Sequence, residues 1–266
     1  VSDLFTSATL LAEGASPLVT ATGEATGWGV FLSETLGTAV LILLGAGVCA
    51  AVTLPKSAAR NHDWILIAFG WAMAVFAAVY LSAPSGAHLN PAVTVGLFVG
   101  GNDFAPGVAP TVPNMLIYFA GQFLGAFIGA WLAFLAYRGH FKEAEPGTTR
   151  GIFSTAPAIR SYGWNLLTEI IATFVLVGFV VGSGLTPSGL GPLGVALIVL
   201  AIGISLGTPT GYAINPARDL APRIAHALMP IKNKDSSDWA YAWVPVVGPI
   251  IGAILAALIV PAMLAI

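Results

Sequence analysis

Two identical tripeptides, Asn90-Pro91-Ala92 and Asn215-Pro216-Ala217, are the residues whose types could do chemistry here. Asparagine is among the best N-cap residues, because its side-chain oxygen takes an orphan backbone N–H, and proline is favoured at the first helical position. Each tripeptide therefore starts a helix. The bland alternative is a loop turn, the usual fate of Asn-Pro. At average residue usage one such tripeptide arises by chance in a chain of this length at a rate on the order of a few per cent, and two at matching positions far more rarely. The stretches that follow, Val93 to Val99 and Arg218 to Met229, are short and read as half-helices. A helix N-terminus carries partial positive charge. If two such ends meet, with both asparagine amides left free to donate, they form a hydrogen-bond donor site that disfavours cations. Arg218 adds a planar fork able to donate to two neighbouring hydroxyl oxygens at once.

The elements that must position these residues are set by composition. The 266 residues are 57% hydrophobic and 8% charged, with a mean hydropathy of +0.87, whereas soluble domains carry about 25% charged residues. A soluble globule is excluded. The net charge of −2 provides no basic field for nucleic acid. Cys49 is the single cysteine, so an intrachain disulfide is excluded, and it reads as a small buried apolar filler. His62, His140 and His226 show no ligand spacing, so neither a metal nor another cofactor is expected. Six apolar stretches approach the roughly 20 residues a transmembrane helix needs: Trp28 to Leu54, Trp64 to Ala83, Asn114 to Tyr137, Trp164 to Leu185, Pro192 to Thr208 and Trp239 to Ile266. They are too long for the tilted strands of a barrel. Residues 1–27 read as an N-terminal arm without the basic start of a secretory signal, and 28–266 as a single domain.

The two halves of that domain match. Ser33-Glu34-Thr35-Leu36-Gly37-Thr38 reads against Thr168-Glu169-Ile170-Ile171-Ala172-Thr173, and Gly121-Gln122-Phe123-Leu124-Gly125-Ala126 against Gly248-Pro249-Ile250-Ile251-Gly252-Ala253. A first repeat over 28–137, a connecting loop over 138–163 and a second repeat over 164–266 follow. With three spans per copy, the second copy must enter the membrane inverted. The fold class expected is an all-α membrane protein of six transmembrane helices plus two re-entrant half-helices.

Ser85-Gly86-Ala87-His88-Leu89-Asn90-Pro91-Ala92-Val93-Thr94 and Gly211-Tyr212-Ala213-Ile214-Asn215-Pro216-Ala217-Arg218-Asp219 resemble the two signature loops of the aquaporins, or major intrinsic proteins. The resemblance extends over roughly 28–266. It implies an aquaporin-like channel that assembles as a homotetramer, with cytoplasmic termini. It also implies a selectivity filter around Arg218. Counting back from Asn215, Gly203 falls where glycerol facilitators have glycine and water-selective members histidine. Tyr212 falls where the glycerol group has an aromatic residue, and Asp219 is a further mark of that group. The filter wall from the second helix is Trp71, or Phe69 if the one-residue deletion before the first signature lies elsewhere; either aromatic alternatively packs against lipid. Gly86, Ala87, His88, Gly211 and Ala213 would line the pore with backbone carbonyls, although His88 also reads as a buried structural histidine.

Glu34 and Glu169 are ionisable groups inside apolar helices, by default a proton-relay signal. Their symmetric placement, and the resemblance, imply instead acceptors that hold the backbone N–H groups of the two loops. The leading expectation is a passive channel for glycerol and similar small neutral polyols, with some water. A water-selective channel is the alternative, and a proton-coupled transporter using Glu34 and Glu169 a more distant one. No nucleophile, base and orienter assemble within the spans, so an enzyme is not expected. One rule opposes the family topology: Lys56, Arg60, Arg138, Lys142, Arg150, Arg160, Lys232 and Lys234 fall in linkers that it places outside, against the positive-inside rule.

Overall fold

The structure is a computed structural model describing residues 18–264 except 21, 187 and 233; most of the N-terminal arm thus lies outside the described residues. In chain order its α-helices are α1 (Gly27–Thr53), α2 (Trp64–Leu81), α3 (Pro91–Val99), α4 (Val112–Ala136), α5 (Arg138–Phe141), α6 (Arg150–Phe153), α7 (Tyr162–Gly182), α8 (Pro192–Leu206), α9 (Pro216–Leu228) and α10 (Val244–Leu264). Among the described residues the only β pairing is in isolated bridges, Val19 with Ala25 and Ala105 with Val108. The helix starts follow from side-chain caps: Thr26 accepts from Gly29 N, Asp63 from Ile65 N and Thr111 from Asn114 N.

Five of these helices are long and apolar enough to cross a membrane. The fifth apolar stretch of the sequence forms a helix of 15 residues, about 22 Å long, against a hydrocarbon core of about 30 Å. Turns follow it after Leu206, while the 3-10 turn at Ser183–Leu185 continues the preceding helix α7. The last helix begins at Val244 rather than near Trp239, because Trp239 to Trp243 close a series of turns and Pro245 takes an early helical position. The 138–163 connection is more ordered than a polar linker, since it carries α5 and α6.

Where the long helices touch, many inward positions are small, and many large apolar residues face outward. Ala68, Ala72, Ala126, Ala130, Ala253 and Ala256 are buried, while Leu32, Leu36, Ile65, Leu116, Leu197 and Leu258 are exposed. Glycines let the helices touch. A Cβ on Gly125 would lie 2.3 Å from the Thr35 carbonyl oxygen, and one on Gly252 would lie 2.4 Å from that of Ile170. So α4 lies on α1 as α10 lies on α7, an equivalence the paired sequence halves anticipate. The short helices cross over: α3 packs against α10 and α9 against α4. Each half-helix is thereby held by the last helix of the opposite half, which brings Asn90 and Asn215 together at the centre.

Candidate functional site

Asn90 (φ −158°, ψ 117°) and Asn215 (φ −159°, ψ 110°) adopt nearly the same backbone conformation at the starts of α3 and α9. Asn90 Oδ1 accepts from Ala92 N at 2.9 Å, and Asn215 Oδ1 from Ala217 N at 3.0 Å and Arg218 N at 3.1 Å. Pro91, Ala92, Pro216 and Ala217 form the buried first turns behind them. The amides are not wholly free, as the sequence reading had them. Asn90 Nδ2 donates to Ile214 O and Asn215 Nδ2 to Leu89 O, each at 2.8 Å. An amide carries two N–H donors, so this reciprocal pair fixes both side chains and leaves one donor on each.

The loops ahead of the asparagines repeat the same left-handed pattern: Gly86, Ala87 and Leu89 at φ 74°, 53° and 56°, and Gly211, Tyr212 and Ile214 at φ 84°, 37° and 44°. Non-glycine residues in this region cost on the order of 1–3 kcal/mol each, so something must hold them. Glu34, fully buried, does so in the first loop. Its Oε1 accepts from Ser85 Oγ at 2.6 Å and His88 N at 3.0 Å, and its Oε2 from Leu89 N at 2.7 Å and Gln122 Nε2 at 2.8 Å. Glu169 repeats the arrangement, accepting from Ala213 N at 3.0 Å and Ile214 N at 2.9 Å. With their N–H groups held, the loops leave the carbonyls of Gly86, Ala87, His88, Gly211, Tyr212 and Ala213 without a protein donor among the described residues.

These loops border a cavity of about 190 Å³. Gly86, Ala87, His88, Asn90, Tyr212, Ala213, Asn215 and Arg218 line it from the loops and helix starts, while Leu41, Val75, Val79, Leu176, Val180, Val195 and Val199 line it from α1, α2, α7 and α8. One part of the wall offers hydrogen bonds and the other offers none. His88 has both ring nitrogens engaged, Nδ1 with Thr94 Oγ1 at 3.0 Å and Nε2 with Phe104 O at 2.9 Å, and stacks on Tyr118. The carbonyl partner makes Nε2 the protonated nitrogen. Its two sequence readings coincide: it borders the cavity and braces the loop.

Arg218 Nη1 donates to Phe153 O at 3.2 Å, and its guanidinium lies over Trp71 with Cζ 3.9 Å from the ring centroid. Phe69 is 49% exposed on the outer face of α2. Tyr212 meets Trp64 edge-on at 5.8 Å. Gly203 and Gly211 are not on the cavity wall. Gly203 lies behind Tyr212, where an added Cβ would be 3.0 Å from Tyr212 Cζ, and its carbonyl accepts from Trp64 Nε1 at 2.7 Å. The glycine acts indirectly: it lets the tyrosine ring settle back against α8. Gly211 is turned toward Thr155.

Asp219 supports this arrangement from outside. It accepts from Thr155 N at 2.6 Å and Thr155 Oγ1 at 2.7 Å, and pairs with the fully buried Arg223 at 2.8 Å. Arg223 also donates to Thr155 O at 2.8 Å and Ser237 O at 2.6 Å. The strand of chain carrying Phe153 and Thr155 is thus tied to α9, which presents the Phe153 carbonyl to Arg218. Farther out, Arg160 pairs with Asp238 through both terminal guanidinium nitrogens. Partial burial disfavours the Asp238 charge, but the Arg160 hydrogen bonds and charge outweigh it and hold the carboxyl below its ordinary range, while Asp238 holds Arg160 above its own. At the end of α9, Lys234 Nζ donates to the carbonyls of His226, Ala227 and Met229 at 2.9, 2.5 and 2.8 Å. Lys234→Met is expected to lower stability by roughly 1–2 kcal/mol, the worth of a partly buried cation at a helix C-terminus. Chemical unfolding in detergent checks this, and an unchanged midpoint would mean that water replaces the ammonium without loss.

Arg223, Phe153, Thr155, Tyr118 and Thr94 escaped the sequence reading. Arg223 had a signal, its four-residue spacing from Asp219 on a helix. Phe153 and Phe104 contribute backbone carbonyls, which no side-chain pattern announces.

The family model described as "Major intrinsic protein" matches residues 22–260. The chain is 53% identical over 225 residues to the "Probable glycerol uptake facilitator protein" of Thermotoga maritima, covering 83% of this chain and 93% of that one. It is 51% identical over 224 residues to the "Glycerol uptake facilitator protein" of Bacillus subtilis, covering 82% and 79%. Among solved structures it resembles the aquaglyceroporin from Plasmodium falciparum, with a TM-score of 0.72, 30% identity, and coverage of 90% of this chain and 99% of that one. With two capped half-helices facing each other across one cavity and a family match over most of its length, the chain belongs to the major intrinsic protein family.

Proposed function

We propose that this integral membrane protein is a passive channel for glycerol and similar small neutral polyols, passing some water and excluding ions and protons. The observation that carries this reading is the two-sided cavity. A polyol has a C–H face and a hydroxyl face, and the cavity offers aliphatic side chains against Arg218, two asparagine amides and a row of carbonyls without protein donors. Relatives about half identical in sequence carry the name glycerol uptake facilitator, which supports the same solute class.

Each passing hydroxyl exchanges water for a protein partner. Carbonyls of the two loops accept from it, tolerated at membrane depth because they face a polar lumen. Arg218 donates at the constriction, where Trp71 and Tyr212 supply the apolar corner for the carbon chain, and Asn90 and Asn215 donate farther in. A cation meets the Arg218 charge and the positive ends of α3 and α9 and is rejected. Glu34 and Glu169 support the loops rather than carry protons, because their oxygens are taken up by backbone donors and neither borders the cavity. Residence in the cell membrane with cytoplasmic termini and assembly of four copies in lipid are further parts of this proposal; family membership supports them.

Stopped-flow light scattering on proteoliposomes tests the reading, comparing glycerol and water permeability with empty vesicles, with and without a proton gradient. Rapid glycerol uptake indifferent to the gradient is expected. Water flux without glycerol flux would make the chain a water channel, and gradient-dependent uptake would return Glu34 and Glu169 to the role of proton carriers.

A further inference from the structure

Trp71 covers the Arg218 guanidinium, and two residues of α1 bear directly on its ring. Gly45 makes room for it: a Cβ there would lie 2.3 Å from Trp71 Cζ3 and 2.5 Å from Cη2. One turn further along the same face of α1, Cys49 is buried with its sulfur 3.4 Å from the indole nitrogen, which donates to it. No other acceptor meets this N–H among the described residues. A buried indole donor ordinarily finds a partner. The glycine thus admits the six-membered ring and the cysteine takes the N–H, and together they fix the ring plane that lies over Arg218 at 3.9 Å.

We propose that Cys49 is a positioning residue of the constriction, acting through Trp71: its sulfur holds the indole face against Arg218 and so sets how the opening discriminates a polyol from water. This rests on the channel reading above. It also departs from the expectation of an apolar filler, and the two views order the same variants oppositely. A filler is best replaced by Cys49→Val, which keeps volume and apolarity. An acceptor is best replaced by Cys49→Ser, which keeps a lone pair facing the indole.

The experiment compares wild type, Cys49→Val, Cys49→Ala and Cys49→Ser in proteoliposomes by the ratio of glycerol to water permeability. Ultraviolet resonance Raman of the indole N–H band, assigned by difference against Trp71→Phe, gives a readout independent of transport. The net worth of a neutral hydrogen bond corresponds to a change of about three- to tenfold in the ratio. Valine and alanine are expected to shift the ratio by that factor and to move the Trp71 band to its unbonded position. Serine is expected to preserve both the ratio and a bonded indole. A conducting wild type with a valine variant indistinguishable from it, or a Raman band unmoved by valine, overturns this proposal alone. A wild type that conducts no glycerol overturns the functional reading and this proposal with it.

Discussion

Glu34→Gln is expected to unfold at markedly lower denaturant than wild type and to leave glycerol permeability at the level of empty vesicles. The carboxylate receives hydrogen bonds on both oxygens, two on each. A carboxylate accepts only, whereas a carboxamide presents two N–H donors in place of one oxygen. Whichever way the new amide is turned, its NH2 faces one backbone N–H, His88 N or Leu89 N, which cannot accept. A buried backbone donor left unsatisfied costs about 1–3 kcal/mol, and the substitution costs at least that. The damage also has a location. The group released is His88 N or Leu89 N, adjacent residues of the loop in which Leu89 both sits at φ 56° and supplies the carbonyl for Asn215. The loop then relaxes out of its left-handed conformation and the reciprocal asparagine pair opens. Glu34→Asp keeps an acceptor on a shorter stem and should fall between. Unfolding in mixed detergent micelles, with permeability measured per inserted protein, checks both halves. A glutamine variant with wild-type stability but conduction that no longer responds to a proton gradient would instead support the proton-coupled alternative.

The same carboxylates show why part of this molecule was legible in its sequence. Glu34 and Glu169 stand at equivalent places in two matched halves, and a buried charge placed twice by symmetry asks for a buried partner of matching symmetry. The repeated Asn-Pro-Ala segments gave the half-helices, and glycines at four-residue spacing gave the close faces of α4 and α10. The contacts that tie one half to the other were not legible. Asn90 donates to Ile214 O, Asn215 to Leu89 O and Trp64 to Gly203 O, and in each the acceptor is a backbone oxygen common to every residue. Side-chain types reveal who can donate; only the path of the chain reveals which carbonyl is brought to meet them. Cys49 is buried in the core as an apolar run leads one to expect, but the indole N–H that meets its sulfur is a contact that only the fold brings into view.

Gly203→His is expected to suppress glycerol permeability about tenfold or more while reducing water permeability less. The substitution acts through Tyr212 rather than by occupying the cavity directly. An added Cβ at 203 would stand 3.0 Å from Tyr212 Cζ and 3.1 Å from both Tyr212 Oη and Ala68 Cβ. Ala68 belongs to the tightly packed α2 and is fully buried, and Trp64 closes the tyrosine ring from its edge. The ring has one direction left to yield, toward the cavity it already borders. A ring displaced into the cavity raises the barrier to passage, and each 1.36 kcal/mol added to a barrier is about tenfold in rate. Glycerol, which needs room for a carbon chain beside Trp71 as well as Arg218 for its hydroxyls, meets the whole of that barrier. Water needs only the donors and acceptors that remain. Gly203→Ala adds a single methyl group against neighbours that must give by a few tenths of an ångström, and so should produce a smaller change of the same sign. Stopped-flow measurement of both permeabilities on the same vesicles decides the matter. Equal loss of glycerol and water flux in the histidine variant would mean that the channel has collapsed as a whole, and that Gly203 and Tyr212 do not set its selectivity.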